Sequence, residues 1–341
     1  MSKVSVIIPA YNVEKTVLKT VNSVLEQSFT DFELIVINDG STDGTLALLN
    51  EINHPRMKVF SFENGGLSTA RNRGIAKATG DYVTFLDADD LWTPDKLALQ
   101  VAQLDEHPDV GVVYSWTLTM SDDGTEFHPG KSPTLAGDVY GDLLISNFIA
   151  SGSNIMVRRA AIEAIGGFDA SLNSCEDWDC WLKLAAKWPF AVVPKPQILY
   201  RQTSGSMSSK VRVIEEAHLI VHHRAFRQAP QRLQHLEAAS RCRNYQYVAQ
   251  LAVRHASSWD DIAYSLQRLK MAVQAYPAIL LQKKIYVSLV KISFLTLLSP
   301  AFGQKILRFF STLKASNGNA SHSKASSKAL SETSPNAPAA L

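Results

Sequence analysis

Three carboxylates close an apolar run. In Thr84–Pro94, TFLDADDLWTP, the β-favouring residues Tyr82 to Leu86 stop at Asp87, Asp89 and Asp90. Alternate residues of a strand face the same way, so Asp87 and Asp89 can aim hard oxygen ligands at one point. Such a pair suits Mg²⁺ or Mn²⁺, an ion completed by waters and substrate phosphates rather than by a closed protein cage. The ion's charge also makes neighbouring acids tolerable. The local alternative is that Asp89 and Asp90 cap a following helix entered through Trp92 and Pro94, because Asp and Pro both favour helix starts. A D-x-D pair alone does not decide between the two.

Three other stretches carry residues with chemical potential. NDGSTDG at 38–44 reads as a turn, since Asp-Gly is a common turn signal, or as a site where Asp39 accepts a hydrogen bond from a pyrimidine base. ENGGLSTARNRG places two glycines before a helix bearing Arg71 and Arg73, a backbone suited to an anion. It lacks G-x-x-x-x-G-K-[ST] and is no P-loop, and no G-x-G-x-x-G follows the first strand, which argues against dinucleotide binding. In SCEDWDCWLKLAAKW, the residues Trp178, Trp181, Leu182 and Ala185 share one helical face. Glu176 and Asp177 fall in its first turn behind Ser174, a candidate cap. Acids there suit the helix dipole, and a carboxylate at a helix start can also serve as a general base.

The elements that must position these residues alternate. VSVIIPA, FELIVINDG, MKVFSF and DYVTFLDADD read as strands. Helices are expected over Glu14–Gln27, over Thr45–Ile52 behind a Ser41 or Thr42 cap, and over STARNRGIAKATG closed by Gly80. This is the pattern of βαβ crossovers and an α/β fold with a mostly parallel twisted sheet flanked by helices. Farther on, DKLALQVAQLDEHP is helical, VGVVYSWTLTM a strand, and SDDGTE the turn of a hairpin. GSNIMVRR leads into a helix at Ala160–Ile165, and FAVVPKPQILYR is extended. Ligands of such sheets bind outside the carboxyl ends of the strands. PAYN at 9–12, NDGSTDG and DADD therefore converge on one region, which weighs more than any single motif.

Taken together, these residues resemble the family 2 glycosyltransferases of GT-A fold. The resemblance covers roughly residues 1–210 through VSVIIPAYN, VINDGSTDGT, NGGLSTARNRGIAKATGDYVTFLDADD, GGFD at 166–169, EDWDCWLKLA and LYRQTSGSMS. It implies transfer of a sugar from a nucleotide-diphospho-sugar to an acceptor hydroxyl with inversion at the anomeric carbon. Pro9, Ala10 and Tyr11 would wall the nucleotide site, Asp39 would bind the base, usually uracil, and Arg71 and Asn72 would lie near the nucleotide and its phosphates. Asp87, Ala88 and Asp89 would form the D-x-D segment, with Asp89 the more direct metal ligand. Asp177 would be the catalytic base, with Glu176 its less favoured alternative. Asp90 is then left to helix capping. Relatives often carry a His where this chain has Thr203 in YRQTSGS, so metal binding would rest mainly on Asp89 or on Thr203 with water.

The chain has 341 residues, 46% hydrophobic and 19% charged, enough apolar content for a core at this length. A net charge of +2 excludes bulk polyanion binding, and no nucleic-acid partner is expected. Cys175, Cys180 and Cys242 form no C-x-x-C pair, fit a reducing compartment, and are read as spectators. The expected organisation is a catalytic domain over 1–210, with a nucleotide-sugar half at about 1–110 and an acceptor half at about 111–210. A helical extension over 211–314 and a disordered Ser/Ala/Asn/Pro-rich tail over 315–341 follow. The segment 282–314 is apolar and basic with no Asp or Glu, a membrane-surface signal as much as that of a packed helix pair with solvated lysines. No signal-like N-terminus and no apolar span of about 18 residues is read, so the expected location is cytoplasmic, with peripheral contact at the cytoplasmic face of a membrane. The acceptor would be a saccharide or glycolipid. Two other functions are open to the same residues, a sugar nucleotidyltransferase and a non-catalytic nucleotide-sugar scaffold. The first usually needs a Gly-rich, basic loop after its first strand, and IIPAYN has none.

Overall fold

Alternating side chains in the first strands bury against helices on both sides. β1 (Val4–Ala10), α1 (Val17–Leu25), β2 (Phe32–Asn38), α2 (Thr45–Asn50), β3 (Met57–Ser61), α3 (Leu67–Ile75) and β4 (Tyr82–Phe85) follow one another in the chain. The structure is a computed structural model that describes residues 2–149, 151–202, 210–281 and 283–298. Every residue of β1 and β2 is buried. Ile7, Ile35, Ile37, Val83 and Phe85 enter one core layer, while Val6, Ile8, Leu34 and Val36 enter the other beside Val17, Val21 and Val24 of α1. That two-residue period on a doubly covered sheet is what near-continuous apolar strands require. The four strands pair in parallel in the order β3-β2-β1-β4. Their carboxyl ends thus share one edge, and the chain reverses its direction of travel between β1 and β4, the switch point where such sheets bind ligands.

Beyond β4 the sheet becomes mixed. β5 (Leu91–Trp92), α4 (Lys96–Glu106), β6 (Val112–Met120), β7 (Phe127–Pro129), α5 (Tyr140–Ile145), β8 (Met156–Arg158), α6 (Arg159–Ala164), α7 (Glu176–Ala185) and β9 (Phe190–Arg201) complete it. β8 runs antiparallel between β4 and β6, so β6 and its parallel partner β9 again point toward the carboxyl edge. The register between β6 and β9 shifts around Trp116, opposite the Pro194–Pro196 stretch, where proline cannot donate to the ladder. β7 pairs with β6 across the SDDGTE turn. α7 is buried almost all round, at Trp178, Cys180, Trp181, Leu182 and Leu184, and is a core helix rather than an amphipathic one.

Several local expectations are corrected. α3 ends at Ile75 rather than at Gly80, whose missing side chain instead lets the entry to β4 approach Val4 and Ser5. The turn before α2 is closed by Asp43, whose Oδ1 accepts from the Thr45 N–H at 3.0 Å, rather than by Ser41 or Thr42. Ser174 does not cap α7; Cys175 takes that position in the left-handed region at φ 60°. α4 begins at Lys96, so Asp90 is too far upstream to cap it, and β5 lies between them.

The chain forms two compact units, Met1–Asn244 and Tyr245–Leu341. The first also holds α8 (Val211–Gln228) and the start of α9 (Glu237–His255). In the second, α10 (Trp259–Ala275) starts with a reciprocal capping box between Ser258 and Asp261, and α11 (Lys283–Leu298) follows a short 3₁₀ turn at Pro277–Leu281. Ile262, Leu269, Ile279, Ile285, Ile292 and Leu295 are buried there. Among the described residues no helix is long and apolar enough to cross a membrane. Thr203, Gln282 and the expected tail over 315–341 lie outside the described residues.

α3 can lie flat on β1 only because position 74 lacks a side chain. A Cβ on Gly74 would sit 2.3 Å from Ile7 Cγ2. Gly74→Val is expected to destabilise the protein by about 1–3 kcal/mol, read as a lower urea midpoint. Gly141→Ala, whose Cβ would meet Leu233 and Leu236 only at 3.6 Å, serves as the tolerated control.

Candidate active site

The loops leaving β1 and β2 are bound to each other at the carboxyl edge of the sheet. Asn12 adopts φ 52°, a conformation Asn tolerates better than most residues. Its N–H donates to Ser41 Oγ at 3.1 Å, while its Oδ1 accepts from the Thr42 N–H at 2.8 Å. Glu14 Oε2 accepts from the Gly44 N–H at 2.8 Å. Pro9 and Ala10 are buried behind this junction, and the Tyr11 ring, 50% exposed, stands open at the carboxyl end of β1.

Asp39 follows β2 and is 3% exposed. Its Oδ2 accepts from the Gly66 N–H at 2.8 Å, both oxygens accept from the Gly65 N–H at 3.1 and 3.2 Å, and Oδ1 accepts from Arg73 Nη1 at 2.7 Å. The anion received by the glycine-rich start of α3 is therefore the protein's own carboxylate. Arg73 also lies over the Phe62 ring at 4.6 Å.

The acids after β4 have three different environments. Asp87 is partly exposed, its Oδ1 accepts from Arg71 Nη2 at 2.6 Å, and its N–H donates to Ser153 Oγ at 3.0 Å. Asp89 is partly exposed and, among the described residues, has no ion pair. Burial, and then the charge of Asp87, push its carboxyl up to about 6. Asp90 is fully buried, accepting from Ser153 Oγ at 2.6 Å and from the Arg201 N–H at 2.9 Å. Burial first, then Asp89 and Asp87, hold it well above the usual carboxylate range. Asp90 ties the loop after β4 to β9 and to the approach to β8, and it caps no helix. Ala88 is buried, and its carbonyl accepts from Thr16 Oγ1 at 2.8 Å and Thr20 Oγ1 at 2.9 Å of the α1 region, so it faces α1.

α7 delivers the second pair of acids. Arg71, 1% exposed, donates from Nη1 to Glu176 Oε1 at 2.8 Å while Nη2 holds Asp87. Burial alone would weaken its charge; Asp87 and Glu176 outweigh that and hold the guanidinium above its usual range. Phe168 lies beneath it at 5.1 Å, and Gly152 makes room, since a Cβ there would approach Nη2 to 2.4 Å. Asp177, half-buried, accepts from Asn147 Nδ2 at 3.1 Å and from the Trp178 N–H at 2.6 Å. Burial, then Glu176, push its carboxyl up to about 6, against the opposing charge of Arg71. A carboxylate in that range is still ionised at neutral pH and is a better proton acceptor than an ordinary aspartate.

Asp87, Glu176 and Asp177 are thus gathered around Arg71 from distant parts of the chain. Arg71 itself is engaged with acids rather than open to solvent. Asn72 donates from Nδ2 to the Phe168 carbonyl at 2.8 Å and accepts the Phe168 N–H at 2.9 Å, so its amide clamps the GGFD loop. Three supporting residues were not singled out from the sequence. Arg201 donates from Nε to the Asp89 carbonyl at 2.8 Å and from Nη1 to the Asp122 carbonyl at 2.6 Å. Ser153 joins Asp87 to Asp90, and Asn147 holds Asp177. Arg201 belongs to the quoted LYR stretch. Asn147 and Ser153 come from SNFIASGSN, whose small and polar residues between periodic segments mark a loop of the kind that carries function.

Residues 5–166 match the model of glycosyl transferase family 2. A chondroitin synthase of Escherichia coli is 31% identical over 194 residues, covering 56% of this chain and 28% of that protein. The chain thus spans under a third of the length of that relative. The putative teichuronic acid biosynthesis glycosyltransferase TuaG of Bacillus subtilis is 35% identical over 216 residues, covering 60% of this chain and 81% of TuaG. Among solved structures, S. aureus TarS 1–349 in complex with UDP-GlcNAc superposes with a TM-score of 0.56 at 20% identity, covering 90% of this chain and 91% of that one. The mannosyltransferase PcManGT from Pyrobaculum calidifontis, in complex with GDP-Man and Mn²⁺, superposes with a TM-score of 0.56 at 21% identity, covering 87% of each chain. At that identity the structures speak for the fold, which is the GT-A type. With the sequence match to TuaG extending over four-fifths of that protein, the chain belongs to the family 2 glycosyltransferases.

Proposed function

We propose that this glycosyltransferase moves a sugar from a uridine-diphospho-sugar to a hydroxyl of a saccharide or lipid-linked saccharide, with inversion, in polysaccharide biosynthesis. The observation that carries this reading is the convergence of the acids after β4 and the acids heading α7 on one buried guanidinium. That convergence supports a donor side and a proton-accepting side in the same crevice. The TarS and PcManGT complexes with UDP-GlcNAc and GDP-Man support a nucleotide-sugar donor. The name of TuaG supports an envelope polysaccharide as product.

In this mechanism the acceptor oxygen attacks the anomeric carbon as the bond to the diphosphate breaks, and Asp177 takes the acceptor proton. No covalent enzyme intermediate forms. The exposed Tyr11 ring, with Pro9 and Ala10, walls the nucleotide, and Asp39 lies on the base side behind Gly65 and Gly66. Asn147 orients the Asp177 carboxyl.

Mg²⁺ or Mn²⁺ fits Asp89 together with Asp87. Both offer hard oxygen donors, and among the described residues Asp89 has no ion pair. When bound, such an ion would neutralise charge on the departing diphosphate.

Contact with a membrane surface is proposed for the 282–314 segment, of which 283–298 are described. Along α11, Val287, Val290 and Leu297 are 54%, 69% and 83% exposed and recur at helical spacing. An anionic bilayer fits this face, because exposed Lys291 and the residues through Lys314 add only positive charge.

The donor panel comes first: hydrolysis of UDP-sugars should exceed that of GDP- and dTDP-sugars, with Mn²⁺ or Mg²⁺ required. Its rate should fall as pH drops through about 6, where Asp177 takes up a proton, and Asp177→Asn should lose at least a hundredfold in turnover. Wild-type turnover in Asp177→Asn would remove that residue from the base role. The folded-state carboxyls of Asp89 and Asp177 stand above the ordinary value of 3.8. The folded protein therefore binds the extra protons, and these two groups add stability as pH falls from about 6 toward 4. At pH 7, where both are ionised, Mn²⁺ at a hundred times its Kd should add about 2.7 kcal/mol, seen as a Tm rise that Asp89→Ala abolishes. For the membrane, Val290→Glu with Leu297→Glu should reduce co-sedimentation of the full chain with phosphatidylserine vesicles. Unchanged sedimentation would sink the idea.

A further inference from the structure

We propose that Arg71 is a positioning residue of the transfer reaction: its guanidinium immobilises Glu176 against Asp87 and so leaves Asp177 the acid at the head of α7 that meets the acceptor. This rests on the glycosyl-transfer reading above, and deepens it by assigning the two acids of the Glu-Asp pair different jobs.

The geometry is specific to a forked cation. Asp87 and Glu176 are 89 positions apart in the chain, yet each receives one arm of the same guanidinium, at 2.6 and 2.8 Å. Both Nη atoms are thereby committed to acids, whereas Nε has no hydrogen-bond partner among the described residues. Glu176 is 8% exposed and Arg71 1%, so neither is placed to meet an acceptor. Asp177 is only half-buried and is held from the other side, by Asn147 Nδ2 and the Trp178 N–H. The surroundings are shaped to the fork: Phe168 lies under its plane and Gly152 leaves room for Nη2. An ammonium is a point charge and cannot hold two carboxylates in that planar arrangement. The same contact sets the spacing between the loop after β4 and the head of α7, which are the donor and acceptor sides of the proposed reaction. A misplacement of about 1 Å at such a junction is felt in the rate rather than in donor affinity.

The test uses the full chain and the nucleotide-sugar that the donor panel selects, and compares Arg71→Lys, Glu176→Gln and the double variant with wild type. Glu176→Gln keeps the shape of the pair and guards against misfolding of the Arg71 variant. Each single change should lower kcat at least tenfold and leave the donor KM, and the Kd for UDP by calorimetry, within about threefold. In the double variant kcat should fall no further than in the weaker single, because both changes break one contact. The acidic limb of the kcat profile should also move in Glu176→Gln, since Asp177 loses a like-charged neighbour. The groups facing Asp177 are Glu176, Arg71, Asn147 and the Trp178 N–H, with Cys175 beside it. A donor KM or UDP Kd raised tenfold with kcat unchanged would make Arg71 a nucleotide ligand and overturn the proposal. So would multiplicative losses in the double variant, or a loss of kcat in Glu176→Gln as deep as that in Asp177→Asn. Failure of Asp177→Asn to impair turnover would instead strike the base assignment, and is read separately from the double-variant cycle.

Discussion

One buried guanidinium holds the site together. Arg71 sits in the body of α3 with almost no access to water, and it is stable there as a cation only because two carboxylates arrive from different directions. Removing Arg71 would leave Glu176 and Asp87 without their counter-charge, and loss of a buried ion-pair partner typically costs about 3–5 kcal/mol. The contact therefore constrains where the loop after β4 and the head of α7 can lie. Phe168 and Gly152 are shaped to it, one as a face and the other as a gap.

α3 carries most of the other constraints. Its start is locked by Asp39, its Asn72 clamps the loop before α7, and its Gly74 lets it approach β1 closely enough for Arg71 to reach the carboxyl edge. The loops after β2 and β4, the GGFD loop and the head of α7 are thus referenced to one helix. That is the arrangement a reaction needs when two reactants must meet within a few tenths of an ångström.

The same edge gathers negative charge faster than it supplies positive charge. Asp89 and Asp177 are both pushed up to about 6, first by burial and then by Asp87 and Glu176 respectively, and Asp90 is held well above the usual range by burial, Asp89 and Asp87. Arg71 answers Asp87 and Glu176 but leaves Asp89 without an ion pair among the described residues. Such an edge holds electrostatic strain that a cation would relieve. At Asp177 the raised value yields a stronger proton acceptor.

The alternation of strands and helices, the carboxyl edge on which the Asp-bearing loops converge, and the family were legible in the sequence. They follow from local rules: period-two burial, βαβ handedness and turn chemistry act over a few residues. Helix ends were less legible. Gly80, Ser41 and Ser174 look like caps by type, yet Asp43 and a left-handed Cys175 occupy the decisive positions. Residue type at the site was legible too, but not residue role. Nothing local to GGLSTARNRG says that its anion is Asp39, that Asn72 grips Phe168, or that Arg71 faces inward to acids. Asp90 has the composition of a helix cap and the environment of a buried strut between β4 and β9. The sequence by itself determined which elements form and which edge collects the acids. Tertiary structure alone decided which acid is paired, which is buried and which stays partly open to solvent, because those outcomes depend on partners as far as 111 positions away in the chain.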